Sequence, residues 1–132
     1  MNLALFIIRI AGAMAFLYHG SGILFGVWGG PGPKGFADFM HMPLVVGYLV
    51  GLAQFCGGLA FLTGILIRVG ALCIIAMMAG AIYLVHLPNG FDIGKGGMEY
   101  ALTQLLVALA LLITGAGAYS LSSMLPRPLR KL

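Results

Sequence analysis

The chain has 132 residues, which by length is one domain. It is 61% hydrophobic and 8% charged, with a mean hydropathy of +1.08; a soluble domain carries roughly a quarter charged residues. That composition excludes water as the folding solvent and requires a bilayer. The net charge of +4 does not indicate a nucleic-acid partner. Arg127, Arg130 and Lys131 crowd the end of the chain, and no basic stripe with interleaved aromatics exists.

Four apolar runs, at about 3–25, 44–67, 69–87 and 98–118, are long enough to cross roughly 30 Å of hydrocarbon as helices. The first has no positive leader and continues past Ala11-Gly12-Ala13, so it reads as a span rather than a cleaved signal peptide. Glycine and proline mark the breaks: Gly29-Gly30-Pro31-Gly32-Pro33, Gly64 to Gly70, Pro88-Asn89-Gly90 and Gly115-Ala116-Gly117. Only helices satisfy their own backbone in lipid, and four spans cannot close a barrel. The expected fold is all-α: a single membrane domain built as a four-helix bundle, with a basic tail over 119–132.

In the first long loop, Phe36, Phe39 and Met40 recur at helical spacing, which predicts a short interfacial helix. Gly47-x-x-x-Gly51, Gly22-x-x-x-Gly26 and Ala76-x-x-x-Gly80 predict close helix packing. The positive-inside rule places both termini and Arg68 in the cytoplasm, with the loops around 28–43 and 88–97 outside. Tyr18, Trp28, Tyr48, Tyr83 and Tyr100 then form an aromatic belt at the outer interface. Cys56 and Cys73 make no C-x-x-C pair and differ in depth, so both are expected in the core.

Polar residues inside spans are costly and normally face the bundle interior. At about 1.5 Å per residue, Arg9 lies about 9 Å from the inner edge, Gln54 about 15 Å deep, and His19 about 24 Å out. His86 closes the third span and Glu99 opens the fourth beside Tyr100, so His19, His86 and Glu99 share one level with Gln54 below. Arg9 is equally suited to snorkelling to headgroups and to a buried ion pair or cofactor contact. Each of the others has a structural reading: a helix-end cap for His86 and Glu99, an interhelical hydrogen bond for Gln54 and for His19. Taken as a set, two imidazoles, a carboxylate and a carboxamide within apolar walls suit a quinone headgroup, a haem or a metal. No Glu-x-x-His pair occurs, so the di-iron bundle pattern is absent. Two histidines at similar depth meet the minimum for bis-histidine haem b.

These residues resemble the DoxX family of small four-span membrane proteins over nearly the whole chain. The matching pieces are Arg9, Tyr18-His19-Gly20, Gly57-Gly58-Leu59 with Gly64 and Arg68, Val85-His86-Leu87-Pro88-Asn89-Gly90-Phe91, and Glu99-Tyr100. The resemblance implies a bacterial or archaeal cytoplasmic-membrane protein linked to redox metabolism; the family includes subunits of a thiosulfate:quinone oxidoreductase and partners of oxidative-stress enzymes. Ile23 stands where the family often has Lys, and Gln54 where it often has Glu. Both departures remove charge, which weakens proton-coupled catalysis more than ligand binding.

The expected function is therefore a redox-associated accessory subunit handling a quinone or docking a redox partner, in contact with lipid and with other membrane subunits or its own copies. The expected cofactor-binding set is His19, His86, Glu99, Gln54, Arg9 and Tyr100. The alternatives are a purely structural subunit of a larger membrane complex and, less favoured, a haem b protein. An enzyme acting alone on a soluble substrate lacks a nucleophile–base pair in any loop.

Overall fold

A computed structural model describes residues 1–132 as an all-helical bundle without strands. Five α-helices follow in order: α1 (Asn2–Phe25), α2 (Gly32–Phe39), α3 (Leu44–Thr63), α4 (Ile67–Ala81) and α5 (Glu99–Thr114). α1, α3 and the apolar stretch from Ile67 to Asn89 are each long and apolar enough to cross a membrane. α5 has 16 residues, about 24 Å of helix, which is short of the roughly 30 Å of hydrocarbon.

Glycines at positive φ close three helices, one where hydropathy places the end and two of them four residues earlier. Gly26 (φ 68°) closes α1, and Gly64 (φ 74°) closes α3 at Thr63 although Ile65, Leu66 and Ile67 continue the apolar run. Gly115, also at positive φ, stops α5 at Thr114, four residues before the expected end at 118. The predicted short helix in the first loop is present as α2. Across one of its turns Lys34 donates to Asp38 at 2.6 Å, and that bond, with the carboxylate's charge, raises the Lys34 ammonium above its usual pKa. Both groups are exposed, so the pair contributes little to stability.

α4 does not end as an α-helix. From Ile82 to His86 it winds as a π-helix, with the Leu87 N–H reaching back five residues to the Ile82 carbonyl. A single 3₁₀ turn (Leu87–Asn89) follows. π turns are rare and concentrate at functional sites.

The two ends of the bundle are built differently. At the turn end, which holds the α3–α4 turn and both chain termini, packing is dense. Ala13, Phe16, Phe61, Ile74, Ala108 and Leu111 are fully buried together, with the Phe16 and Phe61 rings edge-to-face at 5.9 Å. α3 and α4 touch backbone to side chain there: a Cβ on Gly70 would lie 2.5 Å from the Ala60 Cβ, and one on Gly57 would lie 2.7 Å from Ile74 Cδ1. At the loop end, which holds α2 and residues 88–97, the same two helices separate. The space between them is hollow.

α1 packs most extensively on α3. Their closest approach is at Gly20, where a Cβ would meet the Phe55 backbone nitrogen at 2.5 Å and the Gln54 carbonyl carbon at 2.9 Å. Gly58 makes a similar contact with Leu17. The three expected small-residue motifs divide. Gly47 and Gly51 do pack, against Pro33 and Leu24. Gly22 faces the loop glycine Gly30, and Gly26 is a cap. The Ala76–Gly80 face packs against no helix: a Cβ on Gly80 would meet nothing within 4 Å. Cys56 is exposed on the outside of α3 instead of lying in the core, and Cys73 is half-buried; both are free thiols. Tyr18, Trp28, Tyr48 and Tyr83 are exposed, as a belt requires, but Tyr100 turns inward.

Candidate functional site

The hollow at the loop end is a cavity of about 740 Å³, of which 17 of the 23 lining residues are hydrophobic. That is within the range of small-molecule sites, roughly 300–1,000 Å³ with apolar walls and a few placed polar groups. Its polar side chains come from four helices or their extensions: His19 from α1, Gln54 from α3, His86 from the π turn and Tyr100 from α5. α2 roofs it with Phe36, Phe39 and Met40, the same three residues whose spacing predicts that helix. The small side chains of Ala76 and Gly80 open the α4 wall.

The hydrogen-bonding state of the four polar groups is unusual. Gln54 is 8% exposed, yet its amide has no partner within the protein and borders the cavity. The Tyr100 hydroxyl is buried with no partner. His19 touches the Tyr100 ring at 5.9 Å and the Tyr18 ring at 5.3 Å but makes no hydrogen bond. A buried polar group left unpaired costs about 1–3 kcal/mol. Two such groups beside one hollow, Gln54 and the Tyr100 hydroxyl, fit a guest that supplies partners, while His19 is exposed and unpartnered.

His86 alone is tied down. Its Nδ1 lies 2.8 Å from the Gly96 carbonyl oxygen. The Asn89 amide donates to the same oxygen at 3.3 Å and to the Val85 carbonyl at 3.4 Å. Gly90 and Phe91 carbonyls accept from the Met98 and Glu99 N–H groups, closing residues 90–99 into a compact loop. Gly97 allows this closure, since a Cβ there would lie 2.5 Å from the Phe91 carbonyl carbon. Val85, His86, Ile93, Gly96 and Gly97 thus form one rim of the cavity, held by the loop behind them.

Glu99 is not brought to the cavity. Its Oε2 accepts from the Ile93 N–H at 3.2 Å, because an acid in the first turn of a helix reaches back over the preceding loop. It holds Ile93, which does line the cavity. Gln104, one turn further along α5, has a buried Oε1 without a partner, a feature that neither depth nor spacing reveals.

Arg9 lies at the opposite, densely packed end and is 1% exposed. It neither snorkels nor pairs with an acid. Its Nε donates to the Phe61 carbonyl at 2.8 Å and Nη2 to the Leu62 carbonyl at 2.9 Å; Nη1 donates to the carbonyls of Ala116, at 2.9 Å, and Tyr119. The first two are among the carbonyls that the last turn of α3 leaves unpaired, and the other two follow the end of α5. Each helix C-terminus carries about half a negative charge. The α3 end and the two carbonyls beyond α5 together receive the guanidinium without any carboxylate.

A helical bundle with membrane-crossing helices and one ligand-sized apolar hollow defines a small multi-pass membrane protein. The DoxX family model matches residues 4–87, and the chain belongs to the DoxX family. The match covers His19, Gln54 and His86; Tyr100 lies beyond it. No curated protein and no solved structure matches the chain.

Proposed function

We propose that this protein is a redox-associated accessory subunit of a bacterial or archaeal cytoplasmic membrane that holds a quinone headgroup in the loop-end cavity. The observation that carries this reading is the cavity itself: apolar walls, with His19, Gln54, His86 and Tyr100 entering from separate elements and three of the four unpartnered. A flat ring with polar atoms at opposite edges satisfies groups presented from several sides, and its isoprenoid tail suits lipid-level walls. The basic tail and Arg68 belong on the cytoplasmic side, and the cavity then lies in the outer half of the membrane. Membrane lipid and further membrane subunits, or copies of itself, cover the remaining apolar surface.

Gly80→Leu tests the cavity without touching any polar group. A Cβ at Gly80 meets no neighbour within 4 Å, so the added side chain enters the hollow. Replacing glycine inside a helix also favours folding by up to about 1 kcal/mol. Quinone retained through purification is expected to fall at least about tenfold, with the unfolding temperature unchanged or raised; tenfold is about 1.4 kcal/mol of binding. Unchanged retention in a folded Gly80→Leu protein would leave the structural-subunit reading.

One observation favours haem b as a second reading. A metal-binding histidine usually donates its other ring N–H to a carbonyl, as His86 does to Gly96. His86 and His19 would then hold the iron, which would supply electron-transfer chemistry. A visible spectrum of the protein isolated from its native membrane decides: without a Soret band the haem reading is rejected.

A further inference from the structure

We propose that the cavity selects the reduced form of its ligand, a hydroquinone whose hydroxyl donates to Nε2 of His86, over the oxidised quinone. This rests on the quinone reading above and adds the redox state and the residue that reads it.

The Gly96 carbonyl oxygen can only accept hydrogen bonds, so the contact at 2.8 Å requires the proton of the neutral His86 ring to reside on Nδ1. Nε2 then keeps a bare lone pair. Asn89 donates to the same Gly96 oxygen, which fixes that carbonyl in place and holds the ring's tautomer with it. His86 lines the cavity, so in the neutral ring the nitrogen left free for a guest is an acceptor.

The other three polar groups cannot discriminate. The Gln54 amide carries both a donor and an acceptor, and nothing in the protein fixes which one faces the guest. The Tyr100 hydroxyl donates or accepts by rotating. His19 has no ring partner, so either tautomer is available to it. Each of these can serve a quinone carbonyl or a hydroquinone hydroxyl equally. A quinone carbonyl facing His86 Nε2 instead sets lone pair against lone pair, whereas a hydroxyl there makes a hydrogen bond. Selection between redox states thus falls to this one atom.

Discrimination of this kind is steeper than ordinary differences in fit. A site built to bond a particular polar group leaves its own partner unpaired when that group is missing. The wrong redox state is expected to lose about tenfold in affinity, the size of one hydrogen bond made or forfeited. By linkage, a tenfold preference for the reduced form raises the two-electron potential of the bound couple by about 30 mV. The protein would then hold hydroquinone back, or draw quinone toward reduction by whatever partner supplies the electrons.

Three ring compounds test this on the full-length protein in lipid nanodiscs under anaerobic conditions: tetramethyl-benzoquinone, its hydroquinone, and the dimethyl ether of that hydroquinone. The ether keeps the ring and both oxygens but has no hydrogen to donate. Expected are binding of the hydroquinone about tenfold tighter than of either other compound, and equal binding of hydroquinone and quinone in His86→Ala. The wild-type comparison stands even if His86→Ala fails to fold. Addition of hydroquinone is also expected to shift the His86 Nε2 resonance in ¹⁵N NMR while Nδ1 keeps its proton. Equal binding of hydroquinone and quinone to the wild-type protein, or tighter quinone, would overturn the inference and leave the quinone reading in place. Binding of none of the three would remove both.

Discussion

Arg9→Ala is expected to destabilise the folded bundle by at least about 3 kcal/mol, enough to abolish accumulation of a protein whose whole margin is about 5–15 kcal/mol. The substitution removes four hydrogen bonds at once, one buried and three part-buried, and leaves four carbonyls without that donor. It also leaves the negative C-terminal end of α3 without its cation. Arg9→Lys keeps the charge but replaces a planar fork of donors with a single ammonium, so it is expected to recover only part of the loss. Gly64→Ala, beside the guanidinium, is expected to act in the same direction. Its backbone sits at φ 74°, and the new Cβ would lie 2.9 Å from Arg9 Nη2 and closer still to Ser120. Thermal unfolding in detergent, read by fluorescence-detected gel filtration, checks all three. An Arg9→Ala protein melting with the wild type would show that the carbonyl cluster is not what holds the turn end together.

The second large effect is expected at Gly20. A methyl group there would meet the backbone of Phe55 and Gln54 at 2.5–2.9 Å, and backbone cannot swing aside as a side-chain tip can. α1 and α3 must separate. Overpacking of this kind costs about 1–3 kcal/mol. The larger consequence is functional, because Gly20 follows His19 and its neighbour across the contact is Gln54. Both polar groups are displaced together at the cavity wall. Gly20→Ala is therefore expected to reduce quinone retention more than tenfold while a folded fraction persists, tenfold being about 1.4 kcal/mol of binding. Gly20→Val should prevent folding altogether. Retention per folded molecule, measured against Gly80→Leu, separates a displaced wall from a filled hollow.

Much of the fold was legible because lipid is so restrictive a solvent. Any chain this apolar must bundle helices, and its glycines and prolines had to fall near the breaks. What hydropathy cannot read is φ. The run Ile65-Leu66-Ile67 looks like more helix, yet Gly64 in the left-handed region has already ended it. The same physics hid the difference between inside and outside. Lipid-facing and core-facing positions are equally apolar, so Cys56 gave no sign that it lies on the surface. Ala76 and Gly80 likewise read as a packing face, and the structure turns them to a void.

The polar residues were legible in part. His19, Gln54, His86 and Tyr100 were expected at neighbouring levels, and the structure brings them to one cavity. Glu99 shares that level but points back into its loop, a consequence of first-turn geometry that depth alone ignores. Arg9 offered a clue. The chain has three acidic residues, Asp38, Asp92 and Glu99, all near the loop end. With no carboxylate near its depth, a buried arginine had only backbone oxygens to find.

The π turn from Ile82 to His86 has one more consequence. Winding with an extra residue advances everything after it by up to about 100° relative to an ordinary helix. Were that residue absent, the imidazole at its end would rotate off the interior and face the acyl chains, while the Gly96 oxygen stayed behind. Whether this protein owns a receptor for a ring or merely a greasy gap is therefore a matter of one residue of phase, which a shortened chain can gain or lose without any change in its chemistry.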